Sequence, residues 1–330
     1  MGSMSESGAF WPTPPVFGRA RIEAALHEIG TDAVVDAVRG ALVAHARGET
    51  LAPAPSALVF THPPGDCHIK AGSLFGADMF VVKVATGFYH NSADGLPVNN
   101  GVVLVFDART GATFALLLDE GLLTSWRTAA AGALAAVAGA PARLHRLGIV
   151  GTGHQAAMQA RWCSRALGVN SVDVWGRDHA KAVTLASELN VAGIAARAVT
   201  IEDLLADCRV VVTCTPASAP VVPITLVRPG THIVALGADG PGKQELAPAL
   251  LARAARIATD DHEQCLHGGE FGNAVRAGTV TADSDISLGL VLSGEQTLRR
   301  HADEITIADL TGVAAQDAAL ASLVLTRLLA

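Results

Sequence analysis

The stretch Leu147-Gly148-Ile149-Val150-Gly151-Thr152-Gly153-His154-Gln155-Ala156 runs an apolar strand into G-x-G-x-x-A. That pattern suits pyrophosphate binding: Gly151 permits a tight strand-to-helix turn, Gly153 lets backbone amides approach, and Ala156 allows close helix–sheet packing. The first turn of the following helix offers unpaired N–H groups and a positive dipole end. Thr152, His154 and Gln155 are cofactor-binding candidates by position. The next strand ends in Trp175-Gly176-Arg177-Asp178. An acid at this tip normally meets the ribose 2′-hydroxyl of NAD, whereas an arginine accommodates a 2′-phosphate. Arg177 therefore favours NADP(H), with NAD(H) possible through Asp178. Thr213, Thr215 and Gly237, at the ends of later strands, complete the cofactor set. The segment Asp261-His262-Glu263-Gln264-Cys265-Leu266-His267 carries His-x-x-Cys-x-His, but no second ligand pair follows at zinc spacing, so no metal site is expected. No G-x-S-x-G elbow supports hydrolysis.

These residues need elements to hold them. Strand patterns at 147–150, 172–175, 210–213, 232–235 and 256–259 alternate with helical stretches, which predicts a doubly wound parallel sheet. Before them, strand-like runs at 57–60, 67–71, 79–86, 101–107 and 114–118 predict a second, strand-rich α+β domain. Two helices open it between Arg19 and Arg47, broken at Gly30-Thr31-Asp32, with Thr31 or Asp32 as the second one's cap. Thr128 to Ala140 reads as a buried, Ala-rich helix. The apolar helix of residues 312–330 has no strand partner and is expected to return to the first domain. The expected division is an arm (1–18) whose Met1-Gly-Ser-Met4 start reads as a tag remnant, a substrate and dimerisation domain (19–127 plus 312–330), and a dinucleotide-binding domain (128–311).

With 330 residues, half of them apolar and 17% charged, the chain can bury two ordinary cores. A net charge of −7 gives no footprint for nucleic acid. The apolar runs are too short to span a bilayer, and no secretion signal follows Met4. Five scattered cysteines point to reduced thiols and a cytoplasmic location.

Several stretches together give the chain a resemblance. They are Val82-Lys83-Val84-Ala85-Thr86-Gly87, Gly95-Leu96-Pro97, Leu117 through Ala131, the glycine loop, and Leu236-Gly237-Ala238-Asp239-Gly240-Pro241-Gly242-Lys243-Gln244-Glu245-Leu246. In order and spacing the chain resembles the ornithine cyclodeaminase/mu-crystallin family over nearly its whole length. The resemblance implies a homodimer with a substrate domain facing a Rossmann domain across a cleft. It places Lys83 and Arg127 on the substrate carboxylate and makes Asp239 the catalytic aspartate, near the iminium. Lys70, thirteen positions before Lys83, stands where the cyclodeaminases carry a glutamate that meets the substrate's amine. A cation there repels ornithine and welcomes a second carboxylate. No arginine lies between Arg47 and Arg109, so Lys70, His68 or His62 must stand in for the family's upstream carboxylate-binding arginine. This local pattern is similar to the ectoine-utilisation and imino-acid reductase branch.

The resemblance thus implies an NAD(P)H-dependent reductase of α-imino acids, with an acidic substrate such as iminosuccinate. Lys83 and Asp239 are the expected catalytic pair, and Lys70, Lys83, Arg127 and His68 the substrate-binding set. Its alternatives are a cyclodeaminase that cycles NAD and releases ammonia, and a non-catalytic NADPH or small-molecule binder of the mu-crystallin type.

Overall fold

The computed structural model describes residues 11–330, the side chains of Tyr89 and Ser92 excepted. The first ten residues of the expected arm, with its tag remnant, lie outside the described residues. Its last part is not a loose arm: Val16–Gly18 is a strand paired in parallel with Thr113–Leu118. Three residues so rich in neighbouring proline carry no readable period, and only the partner strand reveals them.

The strand-rich half is one mixed sheet. Its central strands, Pro64–Leu74, Met79–Phe88, Asn99–Asp107 and Thr113–Leu118, form an antiparallel meander. Ser56–Thr61 pairs with the first of them along its length. The helices Arg19–Ile29 and Thr31–Ala46 break at Gly30, whose φ of 81° suits a residue without a Cβ. Gly30 is also the N-cap. Neither Thr31 nor Asp32 caps the second helix; Asp32 instead meets Arg165 at 2.7 Å.

From Leu147 the chain builds an eight-stranded, wholly parallel sheet. Its spatial order is Ala195–Ala198, Ser171–Trp175, Leu147–Val150, Val210–Thr213, His232–Ala235, Thr306–Asp309, Arg256–Thr259 and Asp285–Ser287. The five expected strands are present; 195–198, 285–287 and 306–309 were not expected. The chain winds first to one side of Leu147–Val150 and then to the other, so the glycine loop opens at the switch point where ligands bind in such sheets.

Helix Leu122–Gly139 lies between the two sheets, with thirteen of its eighteen residues buried. It begins five residues before Arg127, so Arg127 sits in its second turn and not at its start. The final helix, Ala314–Leu329, packs against the first two helices and the strands 64–74 and 79–88. It leaves the parallel sheet by the short loop after Asp309, and that loop becomes part of the site. No described helix is long and apolar enough to cross a membrane.

Candidate active site

The register of the first sheet sets one wall. Lys70 lies directly opposite Lys83, His68 opposite Ala85 and Asp66 opposite Gly87. Opposed residues of an antiparallel pair share a face, and alternate residues along a strand do so too. Asp66, His68, Lys70 and Lys83 therefore point the same way, toward the parallel sheet. Thirteen positions apart in the sequence, Lys70 and Lys83 are made neighbours by the register.

Arg127 approaches this face from the interdomain helix. It is 6% exposed and Lys83 3%, so both charges need partners. They share one: Asp317 Oδ1 accepts from Lys83 Nζ and from Arg127 Nε, each at 2.8 Å. Arg127 Nη1 also donates to Gln316 Oε1 at 2.9 Å. Gly312 makes this possible, since a Cβ there would sit 2.3 Å from Arg127 Nη1. Burial, then the neighbouring Arg127 charge, pushes the Lys83 ammonium down to about 7. Burial acts against the Asp317 carboxylate, but Arg127 and Lys83 hold it below its ordinary value.

Lys70 does not point to solvent. Its ammonium donates to the carbonyls of Gly312 at 2.6 Å and Thr311 at 3.2 Å, and burial and Arg127 lower its pKa. Asp260 holds the same loop from the opposite side, accepting from the Thr311 amide at 3.0 Å and the Gly312 amide at 2.6 Å. The loop between parallel sheet and last helix is thus pinned between a lysine of the first sheet and an aspartate at the end of a strand of the parallel one.

A cavity of about 390 Å³ lies between the walls. Asp66, His68, Asn99, Asn100 and Arg127 line it from the first domain and interdomain helix; Gly153, His154, Gln155, Thr215, Gly237, Asp239 and Asp260 line it from the parallel sheet. Its size is that of a small-ligand site. Asp239 follows the strand His232–Ala235 and pairs with Lys243 Nζ at 2.6 Å at the mouth. His68 lies 3.7 Å from Asp66. His62, in the exposed turn before strand 64–74, does not line the cavity, and neither do Lys70 and Lys83, expected on the substrate: their ammonium groups are taken by the Thr311 and Gly312 carbonyls and by Asp317.

The dinucleotide candidates divide. Gly151 has φ of 136° and its Cβ would meet Cys214, so the protein itself requires glycine there. A Cβ on Gly153 would meet no protein atom within 4 Å, and the helix His154–Leu167 has no side-chain cap. The open space and free amides fit a pyrophosphate. Gly176 packs on Thr152, whose methyl would lie 2.4 Å from an added Cβ. Arg177 is exposed at the strand tip. Asp178 caps the next helix, its Oδ1 accepting from Ala180 and Lys181 amides. Thr213 is buried and gives its hydroxyl to Glu245 Oε2 at 2.7 Å, so its side chain does not reach the cavity, whereas Thr215 and Gly237 do.

Sequence reasoning missed Asp317, Gln316, Asp260 and Glu245. Glu245 ties together the loops that follow strands Val210–Thr213 and His232–Ala235, accepting from Thr215 N at 2.6 Å and Gly237 N at 2.8 Å as well as from Thr213. A polar pair in the first turn of an otherwise apolar helix was the available signal for Gln316 and Asp317. Nothing along the chain linked them to Lys83 and Arg127, which lie about two hundred positions away. Asp261, His262 and His267 are not gathered around a metal: Asp261 meets His45 and His262 meets Asp285. Among the described residues no group of three or more His, Cys, Asp or Glu is placed to hold an ion.

Comparison with known proteins gives a consistent picture. The family model described as "Ornithine cyclodeaminase/mu-crystallin family" matches residues 20–330. The chain is 36% identical over 298 residues to an alanine dehydrogenase of Archaeoglobus fulgidus, covering 90% of each. Among solved structures, an archaeal alanine dehydrogenase dimer with bound NAD superposes with a TM-score of 0.89 at 32% identity, covering 96% of each chain. The iminosuccinate reductase of Paracoccus denitrificans in complex with NAD+ superposes at 0.85 and 31% identity, covering 95% of this chain and 96% of that one.

Proposed function

The chain belongs to the ornithine cyclodeaminase/mu-crystallin family, and from that premise we propose that it is an NAD(P)H-dependent reductase of α-imino acids. Its relatives include nicotinamide-dependent enzymes of imine and amine chemistry, and it is an oxidoreductase acting on C–N bonds. One observation carries the reading: a single cavity brings Arg127 and the cofactor-side residues Gly153, Gln155, Thr215 and Gly237 together with Asp239.

When bound, the reduced nicotinamide supplies hydride to the imine carbon. Gly151, Thr152, Gly153, His154 and Gln155 hold the pyrophosphate, and the rigid cleft keeps the substrate close enough for transfer. Arg127 holds the α-carboxylate from the cavity wall, with Lys83 adding its charge from behind, and Lys70 with His68 serves a second acidic group. Arg127 keeps free N–H donors for the α-carboxylate after serving Asp317 and Gln316. Asp239, at the cavity mouth, stabilises the iminium and exchanges the proton at nitrogen. Lys70 and His68 on one face support the narrower expectation of an acidic substrate such as iminosuccinate. Solved neighbours hold NAD; here Arg177 supports NADPH, because Asp178 spends a carboxylate oxygen on its helix. Five free cysteines suit the expected cytoplasmic setting. The exposed strand Ser56–Thr61, with Val59 80% exposed, supports a homodimer.

The test is cofactor oxidation with pyruvate, oxaloacetate and glyoxylate, each with ammonia or methylamine, beside ammonia release from ornithine with NAD+. Stoichiometric loss of reduced cofactor is expected. Asp239→Asn should lower kcat by about 10²–10⁴-fold, and Arg177→Ala should raise KM for NADPH but not for NADH. Ammonia from ornithine without net cofactor change would replace the reading with a cyclodeaminase. Tight cofactor binding with no turnover would replace it with a binding protein.

A further inference from the structure

A second hollow, of about 840 Å³, opens further along the interdomain helix and shares no lining residue with the cavity above. Four segments wall it: the helices Thr31–Ala46 and His154–Leu167, the later turns of Leu122–Gly139, and the helix Leu288–Leu292 with the chain that follows. Its floor is apolar, made by Val35, Leu134, Val137, Trp162 and Leu298. Val137 is 49% exposed on a helix whose other apolar side chains are mostly buried. Trp162 stands edge-on to the buried Trp126, ring centroids 5.4 Å apart, so this floor is held in place by the protein itself.

The rim has the opposite charge to the rest of the chain. Arg39, Arg161 and Arg165 border the hollow, and Asp32 is its one acidic lining residue. Asp32 accepts from Arg165 on both carboxylate oxygens, at 2.7 and 2.9 Å. Among the described residues Arg39 and Arg161 have no hydrogen-bond or ion-pair partner. Three arginines against one aspartate leave the rim positive on a chain whose net charge is −7. Gln296, also in the lining, has a buried Oε1 that accepts from no described residue. A buried acceptor of this kind calls for a donor.

We propose that this hollow binds an amphipathic carboxylate carrying an N–H or O–H donor. The tail covers the apolar floor, the carboxylate meets the unpaired arginines of the rim, and the donor serves Gln296. Apolar burial favours the tail in proportion to the area covered, and the planar guanidinium fork suits a carboxylate. The hollow lies apart from the imine chemistry, so the inference stands independently of the reductase reading.

The test is calorimetric titration of the NADPH-bound protein with N-decanoylglycine, its methyl ester and decanoate. The acyl amino acid should bind with Kd of about 0.3 mM or tighter, the affinity of a ligand of about sixteen non-hydrogen atoms at ordinary efficiency. The ester, which lacks the charge, should bind about tenfold more weakly. Decanoate, which lacks the N–H, should lose about two- to tenfold. Val137→Glu puts a carboxylate on the floor and should weaken N-decanoylglycine by about tenfold or more; Arg39→Ala and Arg161→Ala should each weaken it several-fold. All three positions are exposed, so the variants keep the fold. Equal binding of acid and ester, or binding unmoved by the variants, would overturn the inference. Absence of binding, with Val137→Glu sedimenting at a lower mass than wild type, would give the hollow to a second copy of the chain instead.

Discussion

Lys70 and Lys83 face each other across neighbouring strands, a pairing that ordinarily weakens a sheet. Here it persists because Asp317 lies against one ammonium and two backbone carbonyls take the other. The arrangement makes a pH prediction. With its pKa near 7, Lys83 is charged below that value and loses its proton above it. Carboxylate affinity should therefore fall as pH rises through about 7, by at most about tenfold per unit. Titration of the NADPH-bound protein with a 2-oxo acid, followed by nicotinamide fluorescence, measures this without the titration of ammonia. Lys83→Met should bind more weakly at pH 6 and lose the dependence. A wild-type affinity flat from pH 6 to 9 would mean that Lys83 stays charged, or takes no part.

At the scale of elements, the parallel sheet joins its loops through buried acids. Asp309 ends one strand and accepts from the Phe271 amide at 2.9 Å; Glu270 opens the helix Glu270–Arg276 and accepts from the Glu245 amide at 2.5 Å. Burial pushes Glu270 up to about 8, with Asp309 adding repulsion, and burial likewise pushes Asp309 to about 7. Both folded values lie above the unfolded ones, so the folded protein holds extra protons. Stability from this source is complete below about pH 4 and is lost as pH rises toward 8. Glu270→Gln removes the charge while keeping an acceptor for Glu245. Above pH 8 it should melt higher than wild type, by about 2–4 °C for each kcal/mol of repulsion relieved, and the difference should vanish near pH 5. A lower Tm at pH 8.5 would show that the charged form of Glu270 has its own function.

For the whole molecule, the site is a product of two sheets and the helices that cross between them. Arg127 comes from the helix between the sheets, and Asp317 from a helix that returns to the first sheet after the second is complete. The outer strand Ser56–Thr61 leaves Leu58, Val59 and Phe60 exposed, and Phe114 and Leu118 elsewhere in the sheet are exposed too. Apolar surface of this kind marks an interaction face. Sedimentation equilibrium should show a dimer for the wild-type protein, and Val59→Asp should shift it to monomer at micromolar concentration with the fold retained by circular dichroism. A dimer that survives Val59→Asp would move the interface to another surface.

The amino-acid sequence by itself determined the parallel fold and its glycine loop, because these depend on local facts. Gly151 needs its left-handed turn, Gly153 needs open space, and five strands announce themselves by short apolar runs between turns. It also marked Lys83, Arg127 and Asp239 through motif resemblance. The short strands 16–18, 195–198 and 285–287 escaped because three or four residues show no period, and only pairing makes them strands. The first-sheet side of the cavity was decided by the tertiary structure. The Lys70–Lys83 pairing is a matter of register, which adjacency along the chain does not encode. The partnership of Asp317 with two cations spans about two hundred residues. Net charge at a site is a sum over space, and the Asp317 carboxylate joins Lys83 and Arg127 only through the fold.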